Sequence, residues 1–355
     1  MFEIRTDLAV EEKEGAPGDG GEIAGVALRE WRRAASRIKL TEVTILDEDG
    51  ARAMGKPVGS YITLEAKAMK HADEDYHREV SEELALQLRR MILELRNKEL
   101  LPGHGPLHVL VAGLGNASVT PDALGPQVIS NLRVNRNLGE VRVPAVNAGR
   151  AAADHAGTVA GVTAGKSAAD HGGKGDGVII SGIVPGVMAQ TGMETAEIMK
   201  GIIHETKPDL MIAIDALAAR SIRRLGTTIQ LTNTGIHPGS GVGNHRHSLT
   251  MESLGIPVLA IGVPTVVGAA AIVHDTISTL IGTLTSHMET KGMGDYMDQL
   301  SPDEQYQLIC ELLEPEFGSL YVTPPDIDQT VKRLGFTISE GIHLAFYENP
   351  QDGEL

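Results

Sequence analysis

Four continuous apolar runs constrain this chain more than any other feature. They are LHVLVAG at 107–113, VIISGIV at 178–184, DLMIAID at 209–215 and PVLAIGV at 257–263. None alternates polar with apolar residues, so each reads as a strand covered on both faces. A helix-like segment follows each: GPQVISNLRVN, METAEIMKGIIHET, ALAARSIRR and the Ala/Ile run from 268. Strands of this type alternating with helices predict an α/β fold of three layers around a mostly parallel sheet.

The flanks fit around that core. EVTILD and SYITLEA predict two short strands about a glycine-containing turn, a small N-terminal β region. Val80, Leu84, Leu86, Leu88, Ile92 and Leu93 recur near three-to-four spacing and predict a helix over 75–99. The segments SPDEQYQLICELLEP and TPPDIDQTVKRLGFTISEGIHLAF predict C-terminal helices. Residues 12–24 read as a mobile lead-in, and the Ala/Gly-rich stretch 138–177 as a flexible insertion. Two Ala-Asp-His triplets in that stretch follow from its composition. We expect one α/β domain over residues 8–355.

Charge and composition exclude several functions. Lys and Arg number 31 against 47 Asp and Glu, a formal charge of −16, which is unlike a phosphate-backbone binder. Aromatic residues are too few for stacking on single-stranded nucleic acid. The one cysteine, Cys310, rules out a disulfide framework and reads as a small buried apolar residue. Gly182, Pro185 and Gly186 break the richest apolar stretch, so no membrane span is expected. Glu3 and Asp7 stand where a leader would be basic and apolar, so the expected location is cytoplasmic.

Polar and glycine residues gather where the strands end, in GLGNASVTPDALGP (113–126), AIDALAARS (213–221) and NTGIHPGSGVGNHRH (233–247). Ligands of open parallel sheets bind beyond the carboxyl ends of the strands. Two aspartates stand out there, Asp122 and Asp215, each followed by Ala-Leu. Two carboxylates brought together share a proton, so one can deprotonate water while the other protonates a carbonyl or a leaving amine. A plainer reading has Asp122 as a turn residue or helix cap and Asp215 as the cap of helix ALAARSIRR. A third takes both aspartates with a histidine from His237, His245 and His247 as metal ligands. GLGN lacks the lysine of a P-loop, and no GxSxG elbow occurs.

Read in order, VAGLGNASVTPDALGP, SGIVPGVMAQTGMETAEI, IAIDALAARS, TGIHPGSGVGN and GIPVLAIGVPTVV resemble the germination protease of spore-forming bacteria. The resemblance runs from RTDLAVE to TPPDID. It implies an endopeptidase that digests small, acid-soluble spore proteins early in germination, in the forespore and spore core. It further implies a zymogen that removes its own propeptide, a homotetramer, and a fold similar to hydrogenase-maturation endopeptidases. No cofactor is implied. The two proposed catalytic aspartates of that family correspond to Asp122 and Asp215; we take Asn116 and His237, in the same polar loops, as candidate supporting residues. Pepsin-like Asp-Thr-Gly or Asp-Ser-Gly signatures are absent. In the hydrogenase-maturation group the corresponding acidic positions bind a metal, so a metal-dependent hydrolase using Asp122, Asp215 and a histidine is the alternative. A non-enzymatic binding module is the third possibility.

RTDLAVE has two readings as well. Asp7 caps a short helix ending at Gly15, one with no apolar stripe to hold it alone. By the resemblance, substrates are cut after an acidic residue and before an apolar one, usually with alanine next. Asp7-Leu8-Ala9 has that order, which makes residues 1–7 the expected propeptide and Asp7–Leu8 the expected scissile bond.

Overall fold

The structure is a computed structural model and describes residues 6–15, 23–33, 37–70, 74–103, 105–136, 177–236, 247–287, 302–317 and 320–347. Apart from Gly177, the Ala/Gly-rich stretch lies outside these residues. The α/β architecture expected from the apolar runs is present. Its strands are β1 (Val26–Arg32), β2 (Lys39–Ile45), β3 (Gly59–Glu65), β4 (Leu107–Gly113), β5 (Val178–Ile183), β6 (Leu210–Ala219), β7 (Thr228–Thr232), β8 (Val258–Gly268) and β9 (Tyr321–Val322). They join one sheet in the order β1-β2-β3-β7-β8-β6-β4-β5, with β9 beside β8.

One end of the sheet, β8-β6-β4-β5, is parallel, with β5 as its edge strand. β1, β2, β3, β7 and β9 extend it with antiparallel pairs. The small N-terminal β region is therefore part of the main sheet, attached through β3 and β7.

Alternation along the central strands builds the other two layers. One face presents Val109, Val111, Ile180, Ile212, Ile214 and Ile261, packed with α3 (Glu74–Asn97), α4 (Leu124–Asn131) and α10 (Ile327–Tyr347). The opposite face presents Leu110, Ala112, Met211, Ala213 and Ala260 to α6 (Thr195–Thr206) and α7 (Met251–Leu254). A strand with apolar side chains on both faces has no polar alternation to show, which is why these strands read as unbroken runs. Cys310, on α9 (Pro302–Phe317), is buried as expected. Among the described residues no helix is long and apolar enough to cross a membrane.

Three local expectations are corrected. The segment ALAARSIRR is not a helix. β6 continues through Ala219, and a short 3-10 turn, Ile222–Arg224, comes only after it. Alanine favours helix intrinsically, but Ala216, Ala218 and Ala219 are paired with β8. Between β2 and β3 stands a helix, α2 (Glu48–Met54), capped by Asp47 and closed by Gly55, in place of a simple turn. Part of the expected lead-in is the helix α1 (Ala9–Gly15).

Candidate active site

The chain leaves β4 toward β5 on one side and leaves β6 on the other, crossing to β7 beyond β8. Adjacent parallel strands whose connections diverge leave a crevice beyond their carboxyl ends. β4 and β6 are such a pair. Their last paired position is Gly113 with Ile214, after which Leu114 N–H still donates to the Ile214 carbonyl (2.8 Å). Asp215 is the next residue on β6. It lies where β4 has left the sheet and is only 7 % exposed. It caps no helix. Its Oδ1 accepts from its own neighbour's N–H, Ala216 (2.9 Å).

Asp122 ends the 3-10 turn Thr120–Asp122, which packs against β6 and β8. It is not the cap of α4 either. The N-cap is Ala123, with no side-chain bond. The Asp122 carboxylate turns back over the loop, and Oδ2 accepts from Asn116 N–H (2.7 Å). This close approach depends on Gly115, where φ is +103° and a Cβ would run into the Asp122 carbonyl oxygen. The structure thus brings Asp122 and Asp215 to the same end of the same pair of strands.

Asn116 links this loop to the next one. Its Oδ1 accepts from Ser118 N–H (2.9 Å) and from Gln190 Nε2 (2.7 Å), and Gln190 lies on α5 (Met188–Thr191) beyond β5. His237 and His245 lie outside the described residues. His247 stands 3.8 Å from Glu194 at the start of α6. Among the described residues no group of three His, Cys, Asp or Glu side chains gathers to hold a metal ion.

The N-terminal segment docks on the same face of the sheet as Asp215. Leu8 and Val10 pack with Leu217, Ala219 and Val267, and Ala9 packs with Val43, Ile45 and Tyr61. Leu8 and Ala9 are fully buried. This burial supplies the support that α1 lacks as an isolated turn. Asp7 binds Ala218 twice: its N–H donates to the Ala218 carbonyl (3.0 Å), and its Oδ2 accepts from Ala218 N–H (2.8 Å). The Asp7 carbonyl accepts from Gln230 Nε2 (3.1 Å) and Lys56 Nζ (3.2 Å).

An ionic cluster around the buried Glu11 and Arg224 holds α1. Glu11 accepts from the N–H groups of Arg220 (2.7 Å) and Ser221 (3.0 Å), just past the end of β6, and from the Thr6 hydroxyl. Arg224 pairs with Glu11 (3.3 Å), Glu14 (2.7 Å) and Glu65. Burial pushes the Glu11 carboxyl above its ordinary range, against the pull of these donors.

Lys56, Gln190 and Gln230 went unnoticed in the sequence. Gln230 carried one usable signal, since it interrupts Ile229 and Leu231 with the period of two of a strand. Lys56 and Gln190 carried none, because their partners are distant in the chain.

The family described as Germination protease matches residues 3–170 and 175–296. A germination protease of Caldanaerobacter subterraneus subsp. tengcongensis is 44% identical over 353 residues, covering 99% of this chain and 97% of that protein. One from Clostridium tetani is 40% identical over 344 residues, covering 96% and 95%. Among solved structures, a NiFe hydrogenase maturation protease from Thermococcus kodakarensis KOD1 matches with 19% identity and a TM-score of 0.25, covering 45% of this chain and 76% of that one.

Proposed function

The chain belongs to the germination protease family, and from that premise we propose that it is an endopeptidase that starts the degradation of small acid-soluble spore proteins, acting in the forespore and spore core. Asp122 and Asp215 carry the chemistry in this reading, with Asn116 positioning Asp122 through its N–H. The observation that supports it most is the place of Asp215: a nearly buried carboxylate in mid-strand, at the point where β4 ends and the crevice opens. It caps no helix, so the helix-cap reading of this residue does not hold.

In this mechanism one carboxylate takes a proton from water as the oxygen attacks the peptide carbonyl. The other gives a proton to the departing amine. Neither step forms a covalent bond to the protein. The chain is made as a zymogen in this reading and cleaves itself at Asp7–Leu8, so that the mature form begins at Leu8. The docking of Asp7-Leu8-Ala9 on the face that carries Asp215 supports a segment that presents itself as a substrate would.

Asp122→Asn and Asp215→Asn are the direct test, each assayed on an unfolded protein carrying an acidic–apolar–Ala site. The expected loss is about 10²- to 10⁴-fold for each. Cleavage at the wild-type rate by either variant overturns the pair. Running the wild type with and without a chelator separates the metal-dependent alternative, in which chelation abolishes cleavage and added metal restores it.

A further inference from the structure

The Asp7–Leu8 peptide is held by more groups than burial of α1 requires. Gln230 brackets Leu8 with both ends of one amide: Oε1 accepts from Ala9 N–H (2.8 Å) and Nε2 donates to the Asp7 carbonyl (3.1 Å). The orientation of that amide is dictated by chemistry, because a backbone N–H only donates and a carbonyl only accepts. Lys56 Nζ adds a second donor to the Asp7 carbonyl (3.2 Å) and one to Thr6 (3.3 Å). The acid side chain of Asp7 is occupied separately, by Ala218 N–H.

Gln230 also stands in register with the candidate site. It pairs with Gly262 on β8, and Gly262 pairs with Asp215 on β6. Directly opposed residues of neighbouring strands share a face, so the three form one row about 10 Å long from Gln230 to Asp215. Gly262 contributes no side chain to that row, and the Leu217 side chain lies over it. The Asp7 carbonyl therefore hangs from one end of a row that has Asp215 at the other.

We infer that Lys56 and Gln230 are catalytic residues of self-processing, the donors that stabilise the oxyanion formed on the Asp7 carbonyl. This rests on the reading that Asp7–Leu8 is the bond cleaved. Water adds to the Asp7 carbonyl carbon and loses a proton to a carboxylate. The carbonyl π pair moves onto oxygen, where the Lys56 ammonium and the Gln230 amide meet the new charge. Collapse of the adduct breaks the C–N bond, and the Leu8 nitrogen takes up a proton as it leaves. The products are a carboxylate at Asp7 and an amino group at Leu8. Donors already aimed at the oxygen need no rearrangement as charge develops, which is the condition under which such groups are most effective.

The test uses the full-length chain and follows conversion to the form beginning at Leu8 by intact mass. Gln230→Glu keeps an acceptor for Ala9 N–H and puts a charged, acceptor-only oxygen where the donor to the Asp7 carbonyl stood. We expect it to slow processing by about 10²-fold or more, while the Ala9 amide stays protected from hydrogen exchange. Lys56→Met should slow processing by about 10²-fold, and Lys56→Arg should recover most of that loss. Processing of Gln230→Glu at the wild-type rate would overturn the inference. So would a loss of rate accompanied by loss of Ala9 protection, since both residues would then only dock the segment. Asp215→Asn in parallel keeps the two readings apart: if that chain processes normally, the aspartate mechanism fails, whatever Lys56 and Gln230 do.

Discussion

Gly115 sits where two requirements meet. Its φ of +103° belongs to a region that L side chains rarely adopt, and its missing Cβ lets the Asp122 backbone lie against the loop. Gly115→Ala is expected to destabilise the fold by about 1–3 kcal/mol from backbone strain alone. Activity should fall by more than that loss accounts for, because Asn116 N–H and the Asp122 carboxylate are displaced together. Urea unfolding and cleavage assays on the same preparation check it, and unchanged activity in a destabilised protein would show that the Asp122 loop is dispensable. At this scale the sequence was informative about Asp122 and Asp215, because a carboxylate placed after an apolar run or within a glycine-bounded loop stands out. It was silent about Lys56 and Gln190, whose significance lies in partners reached only by folding.

Among the elements, α1 shows how local and tertiary preferences divide the work. Seven residues with acidic side chains in the first turn favour a helix at the right end of the dipole, yet so short a helix is unstable by itself. Leu8 and Val10 on the sheet and the ionic cluster around Arg224 make it persist. Arg224→Met should remove the counter-charge from a buried Glu11 and cost about 3–5 kcal/mol. The expected signature is faster hydrogen exchange over residues 8–15 and loss of thermal stability, and an unchanged exchange pattern would argue that apolar packing alone holds α1. β6 shows the opposite conflict. Its last residues, Ala216–Ala219, have the composition of a helix, but their backbone groups are engaged by β8 and by Asp7, so strand wins. α2 and β1 were missed for a simpler reason: each is seven residues long with mostly exposed side chains, and neither shows a period long enough to read.

For the whole molecule, the homotetramer implied by the resemblance remains a proposal, and sedimentation of the full-length chain at micromolar concentration tests it. A species of four chains is expected, and a monomer that still cleaves substrate would separate assembly from activity. The apolar runs were enough to determine an α/β fold with a parallel core, because strands buried on both faces, as β4, β6 and β8 are, need apolar side chains along their whole length, whereas VIISGIV became the partly exposed edge strand β5. The same runs determined which ends of the strands carry the polar loops, and so where Asp122 and Asp215 had to be sought. Tertiary structure alone decided the rest. It ordered the strands so that β4 and β6 diverge, carried β6 through Asp215 as strand, and laid Asp7-Leu8-Ala9 against Gln230, 221 residues from Ala9 in the chain. Burial leaves its mark on each residue as composition, and a sequence shows that directly. Pairing between distant segments leaves no mark on either partner by itself, because a backbone N–H or carbonyl is the same in every residue that has one.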